Sequence, residues 1–393
     1  YNCLEKVKNK NKTALIYVDK FNQISSLSYL DLSRSVNNLS FFIKNYFKNL
    51  NINQIKCLIH SSASKESSIS MLACCKLSLF HSVIFEDLEY EAIKKRMYLI
   101  KPQIFITRNN DKVFINKLIN DLKIINNKRK FLLICFNEVK QKNKNLENLS
   151  VINLIKDKYK NVNYNFVNGN SPSFCLFTSG STGIPKGIVH STGGYLLYSK
   201  YTCQKKFNLN QNSIILTGSD AGWINGHTYA LYGPLSIGAT SVLIERPFNL
   251  TNINILIKIL KLLKVTVLYL PVTILRLIKT YGFKEKINLK SLKTIGSMGE
   301  PLAPNVAKWY SKKFMNKKVN IVNTYFQTET GGIICSPTSS DKKIAPFGSV
   351  GKPLTKFLKV SLELDDRKSE MLIKNSWPGL EGFGITITEY VNI

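Results

Sequence analysis

The chain predicts an α/β protein on two observations. Short apolar runs of strand type alternate with stretches of helical period through the first hundred residues, and 393 residues at 44% hydrophobic content can bury more than one core. Two α/β subdomains followed by a β-rich C-terminal part are expected, divided as 1–345 and 346–393.

Thr13 to Val18 reads as a strand, and Ser28 to Ser33 opens a helix whose apolar residues recur through Leu39 and Phe42. Ile55 to Ile59 is a buried-type strand, Ser67 to Leu77 a helix of small residues, and His81 to Phe85 a third strand. Asp87 to Ile100 continues as a helix stopped by Pro102, and Gln103 to Thr107 is again strand. Residues 109–164 are polar and rich in Asn and Lys, with one buried-type strand at Phe131 to Phe136 and a solvated loop expected over Asn137 to Asn148. Farther on, Asn252 to Leu263 is an amphipathic helix, Val265 to Leu270 a strand, and Pro271 opens a helix to Tyr281.

Lysine and arginine total 55 against 25 acidic residues, a formal charge of +30. The lysines are spread from end to end among Asn and Ile, with no basic helix face interleaved with stacking aromatics, so no specific nucleic-acid partner is expected. Lysines interrupt every apolar helix, and no membrane insertion is expected. The eight cysteines show no Cys-x-x-Cys and the four histidines no paired metal-ligand spacing, which favours reduced thiols and a cytoplasmic setting. The chain starts with Tyr1, so its natural start is expected upstream and organelle targeting stays open.

Four stretches carry chemistry. In the first, a β-type run, Phe174 to Phe177, enters Thr178-Ser179-Gly180-Ser181-Thr182-Gly183, and a second run, Gly187 to Val189, leaves it after Ile184-Pro185-Lys186. Glycines there let backbone N–H groups crowd an anion, hydroxyls add donors and Lys186 adds a mobile charge, which suits a polyphosphate. The Pro-Lys order and the following strand rule out the Walker loop. The second is Asp220-Ala-Gly-Trp223-Ile224-Asn225-Gly-His227, a turn that presents an indole to a pocket. The third, Gly296-Ser-Met298-Gly299-Glu300-Pro301, ends a strand whose glycines let a flat ring lie on the backbone, with Glu300-Pro301 opening the next helix. The fourth is Asn323-Thr324-Tyr325-Phe326-Gln327-Thr328-Glu329-Thr-Gly-Gly332, a β run delivering one hydroxyl and one carboxylate that can meet an α-phosphate and a Mg²⁺.

Together these stretches resemble the adenylate-forming superfamily, and the continuation His190-Ser-Thr-Gly-Gly-Tyr195 resembles its acetyl/propionyl-CoA synthetase branch. The resemblance implies an acyl-CoA synthetase-like large domain, with the small C-terminal domain lying beyond Ile393. It implies a ligase that joins acetate or another short-chain acid to coenzyme A with ATP and Mg²⁺, by way of an acyl-adenylate. Thr178 to Gly183, Lys186, Gly299 to Pro301 and Asn323 to Thr328 would bind ATP. Lys186, Thr328 and Glu329 would be catalytic, Glu329 holding the metal. Trp223, Ile224, Met298 and Phe326 would line the acyl pocket, and Asn225 and Asn249 would meet the coenzyme. His227 receives no catalytic role and His81 is a packing residue.

Two departures from the family pattern matter. Asn323-Thr-Tyr-Phe326 stands where Asp-Thr-Trp-Trp is usual, so the acid pocket is expected to be slightly roomier than one for acetate alone. The stretch after Ile104 to Ile106 lacks the arginines that hold the coenzyme's nucleotide phosphates, and Arg108 lies closer to the strand. An adenylating ligase with a different acceptor, or a truncated or decayed nucleotide-binding protein, are the rival readings.

Overall fold

In the computed structural model the described residues are 1–127, 129–140, 143–178, 185–282, 287–315, 319–354, 360–365, 368–373 and 377–380. Their architecture is the expected mixed α/β class. It is built on two seven-stranded sheets, each parallel except for one antiparallel edge strand.

The chain starts in the first sheet with β1 (Thr13–Val18) and the antiparallel β2 (Ile24–Ser28). Helix α1 (Tyr29–Tyr46) then begins at Ser28, whose hydroxyl accepts from the Asp31 N–H while Asp31 reaches back to the Ser28 N–H. The second sheet follows: β3 (Lys56–His60), α2 (Lys65–Leu77), β4 (Phe80–Ile84), α3 (Tyr90–Ile100), β5 (Ile104–Thr107), α4 (Lys112–Asn126), β6 (Leu132–Cys135), β7 (Leu146–Asn148) and α5 (Val151–Lys156). The hairpin β8 (Pro172–Thr178) and β9 (Lys186–Ser191) completes it, in the order β7-β6-β5-β3-β4-β8-β9.

After α6 (Gly193–Phe207) the chain returns to the first sheet with β10 (Ile214–Thr217). Short helical segments α7 (Ile224–His227) and α8 (Gly233–Ile237) flank a π-helical turn at Thr228–Tyr232. Then come β11 (Thr240–Ile244), α9 (Ile253–Leu262), β12 (Val267–Pro271), α10 (Val272–Tyr281), β13 (Thr294–Met298), α11 (Pro304–Met315) and β14 (Val322–Asn323), giving β14-β13-β12-β10-β11-β1-β2. Two short hairpins, β15 (Cys335–Ser336) with β16 (Lys352–Pro353) and β17 (Val360–Asp365) with β18 (Lys368–Ile373), close the described part.

Both faces of these sheets are covered, so the strands read as continuous apolar runs rather than alternating ones. In β5, Ile104 and Ile106 face the core beneath α1 and α2, whereas Phe105 faces the core beneath α3 and α4. In β12, Leu268 and Leu270 join one cluster, and Val267 and Tyr269 the other.

Three expectations are corrected. Residues 109–164 contain the fifteen-residue helix α4, packed through Ile115, Leu118, Ile119 and Leu122, and β7 falls within the stretch expected to be loop. Glu300-Pro301 does not open a helix; α11 begins only at Pro304, because Glu300 is held by α10. The run before Thr328 is a two-residue strand followed by a turn.

An ionic joint ties the sheets together. Arg108, just past β5, donates to Glu245 Oε1 at 2.6 Å, just past β11, and lies 3.7 Å from Glu86, just past β4. Tyr17 of β1 donates to Glu245 Oε2 at 2.6 Å, as does the Lys20 N–H at 2.8 Å. Burial opposes the charge on Glu245, but the Tyr17 hydroxyl and Arg108 outweigh it and hold the carboxyl below its ordinary range. Glu245→Ala should lower unfolding stability by about 2–3 kcal/mol, with Arg108→Ala adding much less on that background than alone. Urea midpoints of the two single variants and the double variant check this, and strictly additive shifts would refute the joint.

Candidate active site

Strands of both sheets end on one cleft, a cavity of about 1170 Å³. It lies beyond the C-terminal ends of β3, β4 and β5 on one side and of β10, β11, β12 and β13 on the other, where open α/β sheets place their ligands. Seven residues singled out from the sequence line it: Trp223, Ile224, Asn225, Asn249, Met298, Gly299 and Glu300.

Trp223 caps α7 and is 57% exposed, its indole edge-on to Phe85 at 5.1 Å. The turn that delivers it is tight enough to demand glycine at 226, where a Cβ would lie 2.1 Å from the Asp220 carbonyl oxygen. Asp220 accepts from the Gly222 N–H at 2.9 Å and, across the cleft, from the Ala63 N–H at 3.3 Å. Desolvation, with Asp87 and Glu86 nearby, outweighs these donors and raises its carboxyl to about 6. The Asn225 Oδ1 is buried and has no hydrogen-bond partner among the described residues, so it presents an unused acceptor beside the cavity.

Met298 is buried in one cluster with Tyr229 and Tyr269, against which Phe326 packs, with Phe326 and Tyr229 at 5.7 Å. The segment bearing Asn323 and Thr324 is fastened to β13. Ser297 donates to Asn323 Oδ1 at 3.0 Å, the Thr324 N–H and hydroxyl donate to the Ser297 carbonyl at 3.0 Å, and Thr324 Oγ1 lies 2.6 Å from the Tyr269 hydroxyl. Tyr325 pairs with Cys335, and the Gln327 N–H donates to Thr330 Oγ1 at 3.1 Å. Glu300 accepts from Thr273 at 2.7 Å and from Arg276 at 2.8 Å, while Arg276 also donates to the Pro301 carbonyl at 3.2 Å.

Ser179, Gly180, Ser181, Thr182 and Gly183 lie outside the described residues. Their flanks are described: Thr178 pairs with exposed Lys186 across the β8–β9 hairpin. Thr178, Lys186, Pro301 and all of Asn323 to Glu329, the expected acyl-pocket residue Phe326 included, are not among the residues lining the 1170 Å³ cavity. Hairpin and turn are nevertheless joined, because His190 of β9 has Nε2 2.9 Å from the Thr328 carbonyl and donates to it. Gly331 fits over the same ring with φ +65° and no room for a side chain, its would-be Cβ 2.9 Å from His190 Cε1. Glu329 is half-buried and in no ion pair among the described residues. No group of three His, Cys, Asp or Glu side chains is placed to hold a metal among the described residues. A magnesium ion held by a single unpaired carboxylate such as Glu329, and otherwise by phosphate oxygens, would be compatible with this, a coordination such ions commonly accept.

Sequence spacing could not reveal the Arg108 joint, the Thr273 and Arg276 anchors of Glu300, or the packing of Phe85 on Trp223. Each partner lies on a different strand or helix. Among the described residues no helix is long and apolar enough to cross a membrane.

Comparison with known proteins gives the family. The model of the AMP-binding enzyme family matches residues 5–375, and the chain belongs to that family. It is 32% identical over 353 residues to an acetyl-coenzyme A synthetase of Helicobacter acinonychis, covering 86% of this chain and 52% of that protein. It is 31% identical over 398 residues to acetyl-coenzyme A synthetase 1 of Candida glabrata, covering 96% and 56%. A Yersinia pseudotuberculosis acetyl-coenzyme A synthetase is 31% identical over 409 residues, covering 96% and 60%. The chain thus spans between half and three-fifths of the length of these relatives.

All four histidines are buried and in no ion pair among the described residues; desolvation, which at His60 outweighs the nearby Glu86 and Asp87, lowers His60, His81 and His190 to about 4 and His227 to about 3. The unfolded chain then binds more protons than the folded one between those values and about 6.5, so stability falls as pH drops through this window. Asp220, raised to about 6, acts in the opposite direction as pH falls toward the ordinary carboxylate range and offsets part of the loss. Urea midpoints measured from pH 7 to pH 4 should decline; a midpoint that rises on acidification would refute neutral burial of these rings.

Proposed function

We propose that the chain is the carboxylate-activating part of an AMP-forming acid–thiol ligase acting on acetate or another short-chain acid. A carboxylate oxygen attacks the α-phosphorus of ATP, the bond to the bridging oxygen breaks, and pyrophosphate leaves with the electron pair. The thiol of coenzyme A, losing its proton, then attacks the acyl carbon, and AMP departs as the thioester forms. The observation that carries this reading is the convergence of Trp223, Asn225, Asn249, Met298, Gly299 and Glu300 on one cleft, with the Thr178–Lys186 hairpin bonded through His190 to the Thr328-Glu329 turn beside it.

In this reading Gly299 leaves a flat backbone surface for the adenine, and Glu300 is held ready by Thr273 and Arg276. Thr328 and Lys186 meet the α-phosphate and spread its charge, which is the main contribution a protein makes to phosphoryl and adenylyl chemistry. A magnesium ion, when bound, would neutralise phosphate charge, and in this reading Glu329 holds it. Trp223, Ile224, Met298 and Phe326 bound the acid's tail. The division at 345/346 belongs to this reading as well: the adenylation part precedes it and the β17–β18 hairpin follows, while β15 and β16 pair across it.

In the full-length gene product, Glu329→Ala should slow acid-dependent exchange of pyrophosphate into ATP on the order of a hundredfold or more. Exchange at the wild-type rate would defeat the metal role. Initial rates with acetate, propionate, butyrate and hexanoate should peak among the first three, because in this reading Phe326, packed on the Met298 cluster from outside the cavity lining, limits the acid's length. Preference for hexanoate would rule out a short-chain acid.

A further inference from the structure

We propose that Trp377 is a positioning residue for carboxylate activation, its indole N–H fixing the turn on which Thr328 and Glu329 stand. The inference rests on the acid–thiol ligase reading above and adds to it a side chain from beyond residue 345, outside the four motif stretches.

Side chains from three elements grip the carbonyls of this turn. The Thr328 carbonyl accepts from His190 Nε2 of β9 at 2.9 Å, the Thr330 carbonyl from Trp377 Nε1, and the Gly331 carbonyl from the Thr228 hydroxyl of the π-helical turn at 2.6 Å. One grip therefore falls just before Glu329 and the next just after it. Glu329 makes no ion pair among the described residues, so the backbone on either side decides where its carboxylate stands. Thr330 is buried, and without the indole its carbonyl would lose a donor that water cannot readily replace.

Trp377 is itself firmly seated. It is buried edge-on to Tyr198 of α6 at 5.1 Å, in one cluster with Ile334 and Cys335, against which Tyr325 and Phe326 pack. The backbone after it lies directly on the start of α6. Gly379 has φ +90°, where a Cβ would run into the Tyr195 nitrogen, and at Gly194 a Cβ would lie 2.6 Å from the Gly379 nitrogen. Leu380 pairs with His190 in an antiparallel bridge, and the Ser191 N–H donates to the Gly379 carbonyl at 2.9 Å. Strand β9 thus carries two of the grips, one through His190 and one through the 377–380 segment that it seats.

Trp377→Phe in the full-length gene product keeps a ring against Tyr198 and removes the donor. In acid-dependent pyrophosphate exchange it should raise the half-saturating magnesium concentration roughly five- to tenfold and lower kcat by a similar factor, the worth of one hydrogen bond to a buried carbonyl. The KM for the acid, bounded by Trp223 and Met298 on other elements, should stay within about twofold. Hydrogen exchange of the 328–331 amides should quicken while that of α10 is unchanged. Trp377→Ala should weaken magnesium by about the same factor as Trp377→Phe but lower the urea midpoint further, since it also removes the ring. The proposal is overturned if Trp377→Phe leaves magnesium dependence and turn exchange at wild-type values, if only Trp377→Ala moves them, or if the magnesium and acid constants rise together. A wild-type protein without acid-dependent exchange would sink the ligase reading, and hydrogen exchange would still decide whether the indole holds the turn.

Discussion

One charged contact holds the cleft in shape. The chain leaves the first sheet after β2, builds the whole second sheet, and returns at β10, so the strand ends that form the cleft come from segments more than a hundred residues apart. Arg108 and Glu245, 2.6 Å apart and both mostly buried, span that gap. Charges taken out of water cost several kcal/mol unless every donor and acceptor is used. Here the Tyr17 hydroxyl, the Lys20 N–H and the Ser62 hydroxyl take up most of the remaining valences. Asp220, accepting the Ala63 N–H, and Phe85, packed on Trp223, repeat the same cross-sheet pattern with a hydrogen bond and a ring contact.

A second constraint acts behind the hairpin. Phe174 of β8 is surrounded by His190 at 4.9 Å, His227 at 4.7 Å and His81 at 5.9 Å between ring centroids. These rings are compatible with an apolar core only when neutral; at least one nitrogen of each meets a backbone or hydroxyl group, while His190 Nδ1 and His227 Nε2 have no hydrogen-bond partner among the described residues. His81 meets the Tyr232 hydroxyl at 3.3 Å, and His190 holds the Thr328 carbonyl. A histidine in an apolar strand thus serves here as a positioning residue: it fixes where the Thr-Glu turn stands relative to the β8–β9 hairpin.

Much of the fold could be read from the sequence because both sheets are covered on both faces, which writes each strand as an unbroken apolar run flanked by helical spacing. What escaped has physical causes. Helix α4 carries Ile115, Leu118, Ile119 and Leu122 at helical intervals, but Asn and Lys around them masked the stripe. The delayed start of α11 depends on Arg276 and Thr273 capturing Glu300 from a separate helix, a contact that no local pattern encodes. At the site, residues in contiguous motifs such as Trp223 to Asn225 and Met298 to Glu300 were legible, whereas Arg108 and Phe85 act through partners on other strands. Ser179 to Gly183 lie outside the described residues, so their part in the site rests on sequence alone.

The charge of the chain carries a last distinction. A formal +30 invites the idea of a general attraction for anions, yet the lysines are scattered, and at physiological salt fields from exposed charges fade over about 8 Å. What a ligand meets is therefore decided by the few charges lining the cleft, and there carboxylates outnumber cations: Glu86, Asp87, Asp220, Glu245 and Glu300 against Lys20, Arg108 and Arg246. Arg108 consumes Glu245 and leans on Glu86, and Arg276 from outside the lining consumes Glu300. What remains is a balanced division, Asp87 and Asp220 against Lys20 and Arg246. Surplus lysine elsewhere on the surface can accumulate without altering that division, which is why the overall composition says little about what the cleft binds.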